Sequence, residues 1–247
     1  MYFSPAMIAA LQQASHIAVL TGAGISAESG IPTFREAQTG LYAQYNPQEL
    51  ASPEGFRKNP KLVWEWYSWR RSIVTAANPN PGHKALVAME QRTPNFTLIT
   101  QNVDGLHRRA GSQNVLELHG NMMNTKCSQE NTLITGWQNS GTIPPKCPNC
   151  GAFLRPDVVW FGENLPALTL QKATQAAISC QVFLSIGTSA IVEPAASLPF
   201  LALQHEADVI EVNPEPTPLS KLVAFTLRGA AGIILPELVQ AVWGWDH

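Results

Sequence analysis

Two stretches of the sequence place polar side chains directly after apolar runs that predict buried strands, at 96–100 and 115–118. The polar residues that follow are Gln101, Asn102 and Asp104 in the first case and His119 in the second. Ligands of α/β proteins bind at the carboxyl ends of parallel strands, so these groups would meet in one crevice. Among six histidines, His119 is distinguished by its position as a general base of near-neutral pKa. A second interpretation stays open, since Asn102 or Asp104 could simply cap a helix.

A third polar stretch, at 21–27, follows the apolar run 17–20 and is rich in glycine. Read as G-x-G-x-x-G/A, its spaced positions are Gly22, Gly24 and Ala27. Glycines allow a tight turn and a close approach of a ligand to the backbone. A helix that begins here would direct its free N–H groups and positive end towards a pyrophosphate. The motif alone does not distinguish this site from a strand–loop turn that binds nothing.

These polar stretches need a set of strands and helices to hold them, and the hydrophobic pattern predicts such a set. Strands that end in polar or glycine residues alternate with helices, which indicates a Rossmann-like parallel sheet. The further predicted strands lie at 182–186, before Gly187, Thr188 and Ser189, at 208–212, before Asn213, and within 229–238. The predicted helices lie at 5–14, 49–56, 60–73, 78–91 and 236–243.

The composition fits one globular chain and gives no sign of a nucleic-acid or membrane partner. The 247 residues suffice for one large domain or one domain with a small insert, and the 45% hydrophobic content fits a packed core. The net charge is −2 and the sequence has no basic run, so it offers no positively charged patch that could bind nucleic acid. No apolar stretch approaches the roughly 18 residues of a membrane span, and the first basic residue is Arg35. We therefore expect a soluble, cytoplasmic protein, and we expect it to be a monomer.

The four cysteines indicate a metal site in a reducing compartment. Cys147-x-x-Cys150 is typical of one half of a zinc knuckle, and Cys127 offers a third thiolate. The position where a second C-x-x-C would end is Glu130, whose carboxylate can bind zinc although structural sites favour sulfur and nitrogen. We expect structural zinc on the three cysteines, with Glu130 a doubtful fourth ligand. The alternative is that the three cysteines are the remainder of a zinc site that has lost its fourth ligand. We expect Cys180 to be buried and inert.

The glycine-rich stretch continues to Arg35, and the string 22–35 resembles GAGISxxSGIPxFR, the signature of the sirtuins, which are NAD-dependent protein deacylases. Similar matches are TQNVDGLH, with Val103 in place of Ile, LHG, and RPDVVWFGE. The resemblance spans nearly the whole chain and implies a Rossmann-like domain with a small zinc-ribbon insert. It implies a large part formed by 1–35, 74–120 and 161–247 and a small part formed by 36–73 and 121–160.

The resemblance also implies roles for individual residues. His119 would be the catalytic base, while Asn102 and Asp104 would hold the nicotinamide amide. Phe34 would shield the reactive sugar, and Arg35 would steady the loop and a phosphate. The implied NAD contacts are Gly22, Ala23, Gly24, Ser26, Ala27, Thr33, Phe34, Arg35, Gln101, Asn102, Asp104, Gly187, Thr188, Ser189, Asn213 and Ala231. The implied reaction transfers an acyl group from lysine and yields nicotinamide and O-acyl-ADP-ribose.

The aromatic stretch WEWYSWRR resembles the class III sirtuins, in which Tyr-x-x-Arg lies at the floor of the acyl pocket. Tyr67 and Arg70 share a predicted helix face and could grip a carboxylate, although an aromatic core stripe with a solvated Arg would show the same pattern. Ala51 matches the small residue that leaves room for the acyl chain. The implied substrates are succinyl-, malonyl- or glutaryl-lysine, with acetyl-lysine also acceptable. Residues Val159, Trp160 and Phe161 would pair with the substrate peptide as an added strand, unless this is an ordinary edge segment.

Four other functions compete with lysine deacylation. The same site could hydrolyse NAD or transfer ADP-ribose to protein, and a non-catalytic chain could act as an NAD or ADP-ribose sensor. A sensor has no need of a base, so the combination of His119, Asn102 and Asp104 argues against it. A hydride-transfer dehydrogenase is disfavoured because the acidic ribose-binding residue of that class is missing.

Overall fold

A computed structural model describes residues 2–32, 43–137 and 141–245 of the chain. Two sheets are present in this part. The strands are β1 His16–Thr21, β2 Asn95–Thr100, β3 Val115–Glu117, β4 Gly120–Cys127, β5 Leu154–Val158, β6 Val182–Ile186, β7 Asp208–Val212 and β8 Phe225–Leu227. Six of them form a parallel sheet in the order β3-β2-β1-β6-β7-β8, and β4 pairs with β5 in an antiparallel ladder.

The helices mostly start at a proline that follows a polar cap. Their bounds are α1 Pro5–Gln13, α2 Pro47–Leu50, α3 Pro53–Lys58, α4 Pro60–Ala76, α5 Pro81–Glu90, α6 Leu106–Ala110, α7 Ala167–Ser179, α8 Leu198–Gln204 and α9 Ala231–Trp243. In α1 to α5 a Ser or Asn side chain accepts a hydrogen bond from the first turn, and proline occupies the position whose N–H has no partner within the helix. In the described part of the chain, no helix has the length and apolarity that a membrane span requires.

The parallel sheet is buried on both faces by helices. One face packs against α1, α5 and α9, through residues such as Leu11, Leu86 and Leu235. The other face packs against α7 and α8, with Phe183 at its centre. Burial on both sides explains why β1 and β6 read as continuous apolar runs, as the strands of parallel sheets do.

The chain order of the strands reverses at β1, which lies between β2 and β6. Because all six strands are parallel, their carboxyl ends share one edge of the sheet. The chain leaves β1 towards β2 and leaves β6 towards β7, in opposite directions along the sheet, and open α/β sheets bind ligands in the crevice at such a point. The predicted Rossmann-like sheet is confirmed.

A separate apolar cluster joins α4 to the β4–β5 ladder. Trp66 and Tyr67 of α4 pack with Val158 and Trp160, which lie at the end of β5 and just after it. Arg71 strengthens this junction, since its guanidinium donates to the carbonyl oxygens of Met122 and Asn124 on β4. This cluster holds α4 in place, and α4 carries two of the sequence-predicted substrate residues.

The strand predicted within 229–238 is wrong. The last strand is β8, and residues from Ala231 onwards form α9. An apolar run such as 233–235 does not distinguish a buried strand from a buried helix, and here helical spacing buries Ile234, Leu235 and Leu238.

The loop after β1 also differs from the prediction. It forms two short 3-10 turns, Ala23–Ile25 and Ala27–Ser29, instead of a helix that could direct its positive end at a ligand. The second turn ends at Gly30, whose φ of +75° suits glycine. Any contact between this loop and an anion therefore depends on local N–H groups, because a single turn has little net dipole.

Candidate functional site

The glycines after β1 are required by a second loop of the chain itself. The Gly22 N–H donates to the carbonyl of Ile186 at 3.0 Å, and the Gly24 N–H donates to that of Gly187 at 2.9 Å. A Cβ on Gly24 would lie 2.7 Å from the Cα of Gly187, and one on Gly22 would lie 2.7 Å from the Gly187 oxygen. The loops after β1 and β6 are thus in backbone contact, which forms the floor of the crevice.

Three buried polar side chains form a pocket beside this floor. Asn102 donates through Nδ2 to the carbonyl of Gly22 at 3.0 Å and to Ser26 Oγ at 3.1 Å. Ser26 in turn donates to Asp104 Oδ2 at 2.8 Å. Among the described residues no donor contacts the Oδ1 oxygen of Asn102, so this oxygen can accept a hydrogen bond from a ligand. The sequence placed these residues in one crevice, and the structure brings them into direct contact.

Asp104 is held as a hydrogen-bond acceptor within this pocket. Burial raises the pKa of its carboxyl group, while hydrogen bonds from the Leu106 N–H and Ser26 and the charge of Arg70 oppose the rise. Its Oδ1 atom accepts from the Leu106 N–H at 2.8 Å, but the N-cap residue of α6 is Gly105 and no side chain caps this helix, so the capping alternative is wrong. The bond to Leu106 is compatible with ligand binding, since each carboxylate oxygen has a second lone pair.

His119 lies between the two sheets, two residues after β3. Its Nδ1 atom donates to the carbonyl oxygen of Gln101 at 2.9 Å. The remaining nitrogen, Nε2, therefore carries a lone pair in the neutral ring. Burial lowers the pKa of His119, and the hydrogen bond to Gln101 opposes this effect. The ring is thus neutral at physiological pH and able to accept a proton.

Tyr67 and Arg70 share one face of α4, as predicted. The Arg70 guanidinium lies 4.9 Å from the centre of the Trp66 ring and 5.8 Å from that of Tyr67. Trp160 donates through Nε1 to the Tyr67 hydroxyl at 3.1 Å. The hydroxyl proton of Tyr67 is not used in that bond and is available to another acceptor. The two interpretations of this helix face were a carboxylate site and an aromatic core stripe. Neither is complete, because Tyr67 packs in the apolar cluster and its hydroxyl group can still donate a hydrogen bond.

The segment after β5 is braced by a charged pair that the sequence analysis did not single out. Arg155 donates to both carboxylate oxygens of Glu163, at 2.6 and 2.9 Å, and lies 3.3 Å from the centre of the Trp160 ring. Burial opposes ionisation of Glu163, but hydrogen bonds from Arg155 and the Trp160 N–H outweigh it and lower the pKa. Both residues lie in the motif RPxVVxFGE, eight positions apart and with opposite charges, and this spacing could have indicated the pair from the sequence.

Main-chain N–H groups of the segment 159–161 form hydrogen bonds within the protein. The Val159 N–H donates to the carbonyl of His119 at 2.9 Å, and the Phe161 N–H donates to that of Ala51 at 2.9 Å. The Phe161 side chain is about half exposed. Ala51 therefore contacts this segment through its backbone, while its small side chain lies in the cluster with Tyr67.

The other end of the crevice lies at β6 and β7. Thr188 is buried and accepts the Ala190 N–H at Oγ1, whereas Ser189 is exposed. Asn213 donates through Nδ2 to the Thr188 carbonyl at 2.8 Å, so it ties the two strand ends together. Ala231 is the first residue of α9.

An acidic residue connects α9 to the loop after β1. Glu28 accepts the N–H of Gly232 at 2.6 Å. The sequence analysis missed Glu28, because nothing in one sequence pairs two positions that lie 204 residues apart. Three predicted cofactor residues, Thr33, Phe34 and Arg35, lie outside the described residues.

The predicted metal ligands come together. Ligand atoms of Cys127, Cys147, Cys150 and Glu130 all lie within 4.8 Å of one another, and the Sγ atoms of Cys127 and Cys150 are 3.4 Å apart. Four donors of this kind at this spacing fit tetrahedral zinc, and all four are supplied by the protein, as in structural sites. Cys180 lies apart from this group and is buried, as predicted, and burial raises its pKa to about 12.

Comparison with known proteins agrees with this arrangement. The family model described as "Sir2 family" matches residues 22–194. An "NAD-dependent protein deacylase" of Aquifex aeolicus is 55% identical over 90% of this chain and 93% of its own length. A solved structure described as a Sir2 homolog–NAD complex is 44% identical, with a TM-score of 0.90 over 98% of this chain and 94% of that chain.

A further solved structure contains a peptide. It is described as Sir2Af2 bound to a myristoylated histone peptide, and it is 37% identical, with a TM-score of 0.77 over 95% of this chain and 94% of that chain. The family model covers well over half of the chain, and the relative covers nearly all of it. The chain therefore belongs to the Sir2 family.

Proposed function

We propose that this chain is an NAD-dependent protein-lysine deacylase. The observation that carries the proposal is the position of His119, a neutral base whose free Nε2 lies at the sheet edge that also carries the Ser26–Asn102–Asp104 pocket. NAD, when bound, would supply an electrophilic ribose carbon and a nicotinamide leaving group. The test is product analysis: a deacylase releases nicotinamide only together with deacylated peptide and O-acyl-ADP-ribose.

The pocket of Ser26, Asn102 and Asp104 suits a carboxamide. Asn102 Oδ1 and the second lone pairs of Asp104 present acceptors to it, and the two N–H groups of a primary amide are matching donors. Burial strengthens these bonds because water does not compete for them. We therefore assign nicotinamide binding to Asn102 and Asp104.

His119 then acts on a ribose hydroxyl. Its Nδ1 proton is committed to Gln101, so the ring orientation and tautomer are set before substrate binds. The lowered pKa keeps Nε2 unprotonated, which is the state that a general base needs. Gln101 would thus contribute in two ways, through its carbonyl towards His119 and through its side chain towards the ribose.

The remaining cofactor contacts belong to the adenosine half. Gly22, Gly24 and Gly187 form the floor, where a side chain would collide with backbone atoms of the opposite loop. Thr188, Ser189 and Asn213 lie at the ends of β6 and β7, and Ala231 begins α9 beside them. We propose that NAD lies along this edge with its adenosine near β7 and its nicotinamide near β2.

We further propose that the acyl group is a short dicarboxylic one, with succinyl-lysine as the representative substrate. Tyr67 has a hydroxyl proton to donate, because the Trp160 Nε1 atom supplies the proton in their shared hydrogen bond. Arg70 adds a largely buried guanidinium beside it, and burial lowers its pKa without approaching deprotonation at neutral pH. A phenol and a guanidinium together can bind one carboxylate with charge-assisted hydrogen bonds.

The peptide chain would bind next to Val159, Trp160 and Phe161. The N–H groups of Val159, Trp160 and Phe161 and the carbonyl of Trp160 already form hydrogen bonds within the fold, so the Val159 carbonyl oxygen would accept from the substrate backbone. The exposed Phe161 ring would cover the peptide, and the Arg155–Glu163 pair would hold the segment in shape. The solved relative with a bound histone peptide supports a peptide substrate.

The metal site would stabilise the β4–β5 end of the molecule. We propose that zinc is bound by Cys127, Cys147, Cys150 and Glu130, with the carboxylate as the fourth ligand. Cys127 ends β4, and the Cys147 N–H donates to the carbonyl of Ala152 at 2.7 Å in the turn before β5. Zinc would join these two segments and has no open position for chemistry.

A further inference from the structure

One strand of the parallel sheet carries a carboxylate between apolar neighbours. Glu211 is the fourth residue of β7, and only 1% of its surface is exposed. Because side chains alternate along a strand, Glu211 lies on the same sheet face as Val209, which packs in the cluster with α7 and α8. Burial of an ionised carboxylate is costly unless charges and hydrogen bonds compensate it, so this residue calls for an explanation.

The compensation comes from the segment that follows β7. Thr217 donates its hydroxyl proton to Glu211 Oε1, and Ser220 donates to Oε2 at 2.6 Å. Arg228, which directly follows β8, places its Nη1 atom 2.9 Å from the same Oε2. Both carboxylate oxygens are therefore bound by groups that lie between the end of β7 and the residue after β8.

Arg228 extends this network to the main chain at the carboxyl end of β7. Its Nη1 atom donates to the carbonyl oxygen of Glu215 at 3.1 Å and to that of Asn213 at 3.4 Å. Its Nη2 atom donates to Ser220 Oγ at 2.8 Å. The guanidinium thus links the buried carboxylate of Glu211 to the turn that begins at Asn213.

Asn213 is the residue of this turn that lies at the crevice. Its backbone N–H donates to the carbonyl of Leu227 at 3.1 Å, and its Nδ2 atom donates to the carbonyl of Thr188 at 2.8 Å. Among the residues that the structure describes, no donor contacts its Oδ1 atom, so this oxygen can accept from a ribose hydroxyl. A shift of the turn would move this acceptor.

We propose that Glu211 and Arg228 are positioning residues for the adenosine half of NAD, because together they fix the turn that carries Asn213. The inference rests on the proposed function, in which Asn213 contacts this half of the cofactor. A buried ion pair adds little net stability compared with apolar residues of similar volume, but its directed, charge-assisted bonds fix geometry. Neither residue is assigned a contact with NAD.

The direct test is calorimetric titration with ADP-ribose, which contains the adenosine half and requires no turnover. Glu211→Gln preserves the volume of the side chain and removes its charge, whereas Arg228→Met removes the guanidinium with its hydrogen bonds. We expect each variant to bind ADP-ribose about tenfold more weakly, since each loses at least one charge-assisted hydrogen bond that holds the turn. Unchanged affinity in either variant would overturn the inference.

The double variant tests whether Glu211 and Arg228 act as one unit. It should bind ADP-ribose no more than about twofold more weakly than the weaker single variant, because the second change removes a partner of a bond that is already lost. A loss of about a hundredfold, the product of two independent effects, would show that the residues act separately and would overturn their shared role.

A comparison of KM with kcat separates positioning from general damage to the fold. Contacts to adenosine hold the ground state and the transition state equally, so Glu211→Gln should raise the KM for NAD about tenfold and change kcat less than about twofold. A fall in kcat with an unchanged KM would show a merely structural role and would overturn the inference.

The matched control is Glu90→Gln. Glu90 also holds a turn with its carboxylate, which accepts the N–H groups of Gln113 and Asn114 before β3, at the other edge of the sheet. This variant should retain the wild-type affinity for ADP-ribose and the wild-type KM. An equal loss of affinity in Glu90→Gln would show that any weakened turn has this effect, and it would overturn the specific role of Glu211.

The inference and the proposed function fail in different ways. If the wild-type protein binds ADP-ribose but does not deacylate, the proposed function is refuted, and the affinities of the variants still decide the role of Glu211 and Arg228. If the wild-type protein deacylates and both variants bind ADP-ribose normally, the function stands and the inference is refuted. Absence of ADP-ribose binding by the wild-type protein would overturn both.

Discussion

The imidazole of His119 donates its Nδ1 proton to the main-chain carbonyl of Gln101 across 2.9 Å, and this leaves Nε2 as the only basic atom of the ring. His119→Ala should therefore abolish deacylation and keep the fold, since the ring is only partly buried. Turnover and the thermal unfolding midpoint check this prediction. A stable variant with wild-type turnover would remove His119 from the mechanism.

The lowered pKa of His119 predicts the acid limb of the pH profile. The base acts only when it is unprotonated, so activity is lost as pH falls through the folded-state pKa. Because burial places that pKa below 6.5, turnover should remain nearly constant from pH 8 to about 7.5 and should reach half its maximum only below pH 6.5. The measurement is kcat/KM against pH on one peptide, and an acid limb centred above pH 7 would contradict the account.

The role of Arg70 predicts a loss confined to acidic acyl groups. A charge-assisted hydrogen bond is worth about 1.5–3 kcal/mol, so Arg70→Met should lower kcat/KM for a succinyl-lysine peptide by roughly ten- to a hundredfold. The matched acetyl-lysine peptide is the control and should change little. Equal losses on both peptides would show that Arg70 only supports the apolar cluster around Trp66.

The contact between the two glycine loops predicts a steric effect. Gly24→Ala would place a Cβ 2.7 Å from the Cα of Gly187, where only backbone could yield. We expect loss of ADP-ribose binding and a lower unfolding midpoint. The control is Gly244→Ala, which meets no atom within 4 Å and bears only the cost of its positive φ, about 1–2 kcal/mol. Normal ADP-ribose affinity in Gly24→Ala would contradict the contact.

The metal site predicts graded zinc retention. Zinc prefers sulfur in structural sites, so Glu130→Cys should hold zinc longer against a chelator, and Glu130→Ala should release it faster than the wild type. Cys147→Ser should lose most of it. Metal content per chain after dialysis is the measurement. Identical retention in the wild type and Glu130→Ala would remove the carboxylate from the ligand set.

The sequence predicted the sheet and most of the site because strand ends carry local signals. Thr21 to Ala27, Gln101 to Asp104 and His119 each follow an apolar run, and parallel strands bring such ends to one edge. The helix that carries Tyr67 and Arg70 was also predictable, since its spacing and its Asn–Pro start are local features.

Other features depend on contacts between distant positions and left no local trace. The bond from Trp160 to Tyr67 spans 93 residues and explains why Tyr67 can be both buried and polar. The requirement for Gly22 comes from Gly187, in the loop after β6. The first part of α9 was mistaken for a strand, because its apolar residues are consecutive as well as helically spaced, whereas its second part was predicted as a helix.

The most direct measurement of the central claim is product stoichiometry with NAD and a succinyl-lysine peptide. The account predicts one nicotinamide and one O-succinyl-ADP-ribose for each lysine freed, and none of these products with His119→Ala. Release of nicotinamide with free ADP-ribose and an unchanged peptide would contradict it and would indicate hydrolysis of NAD.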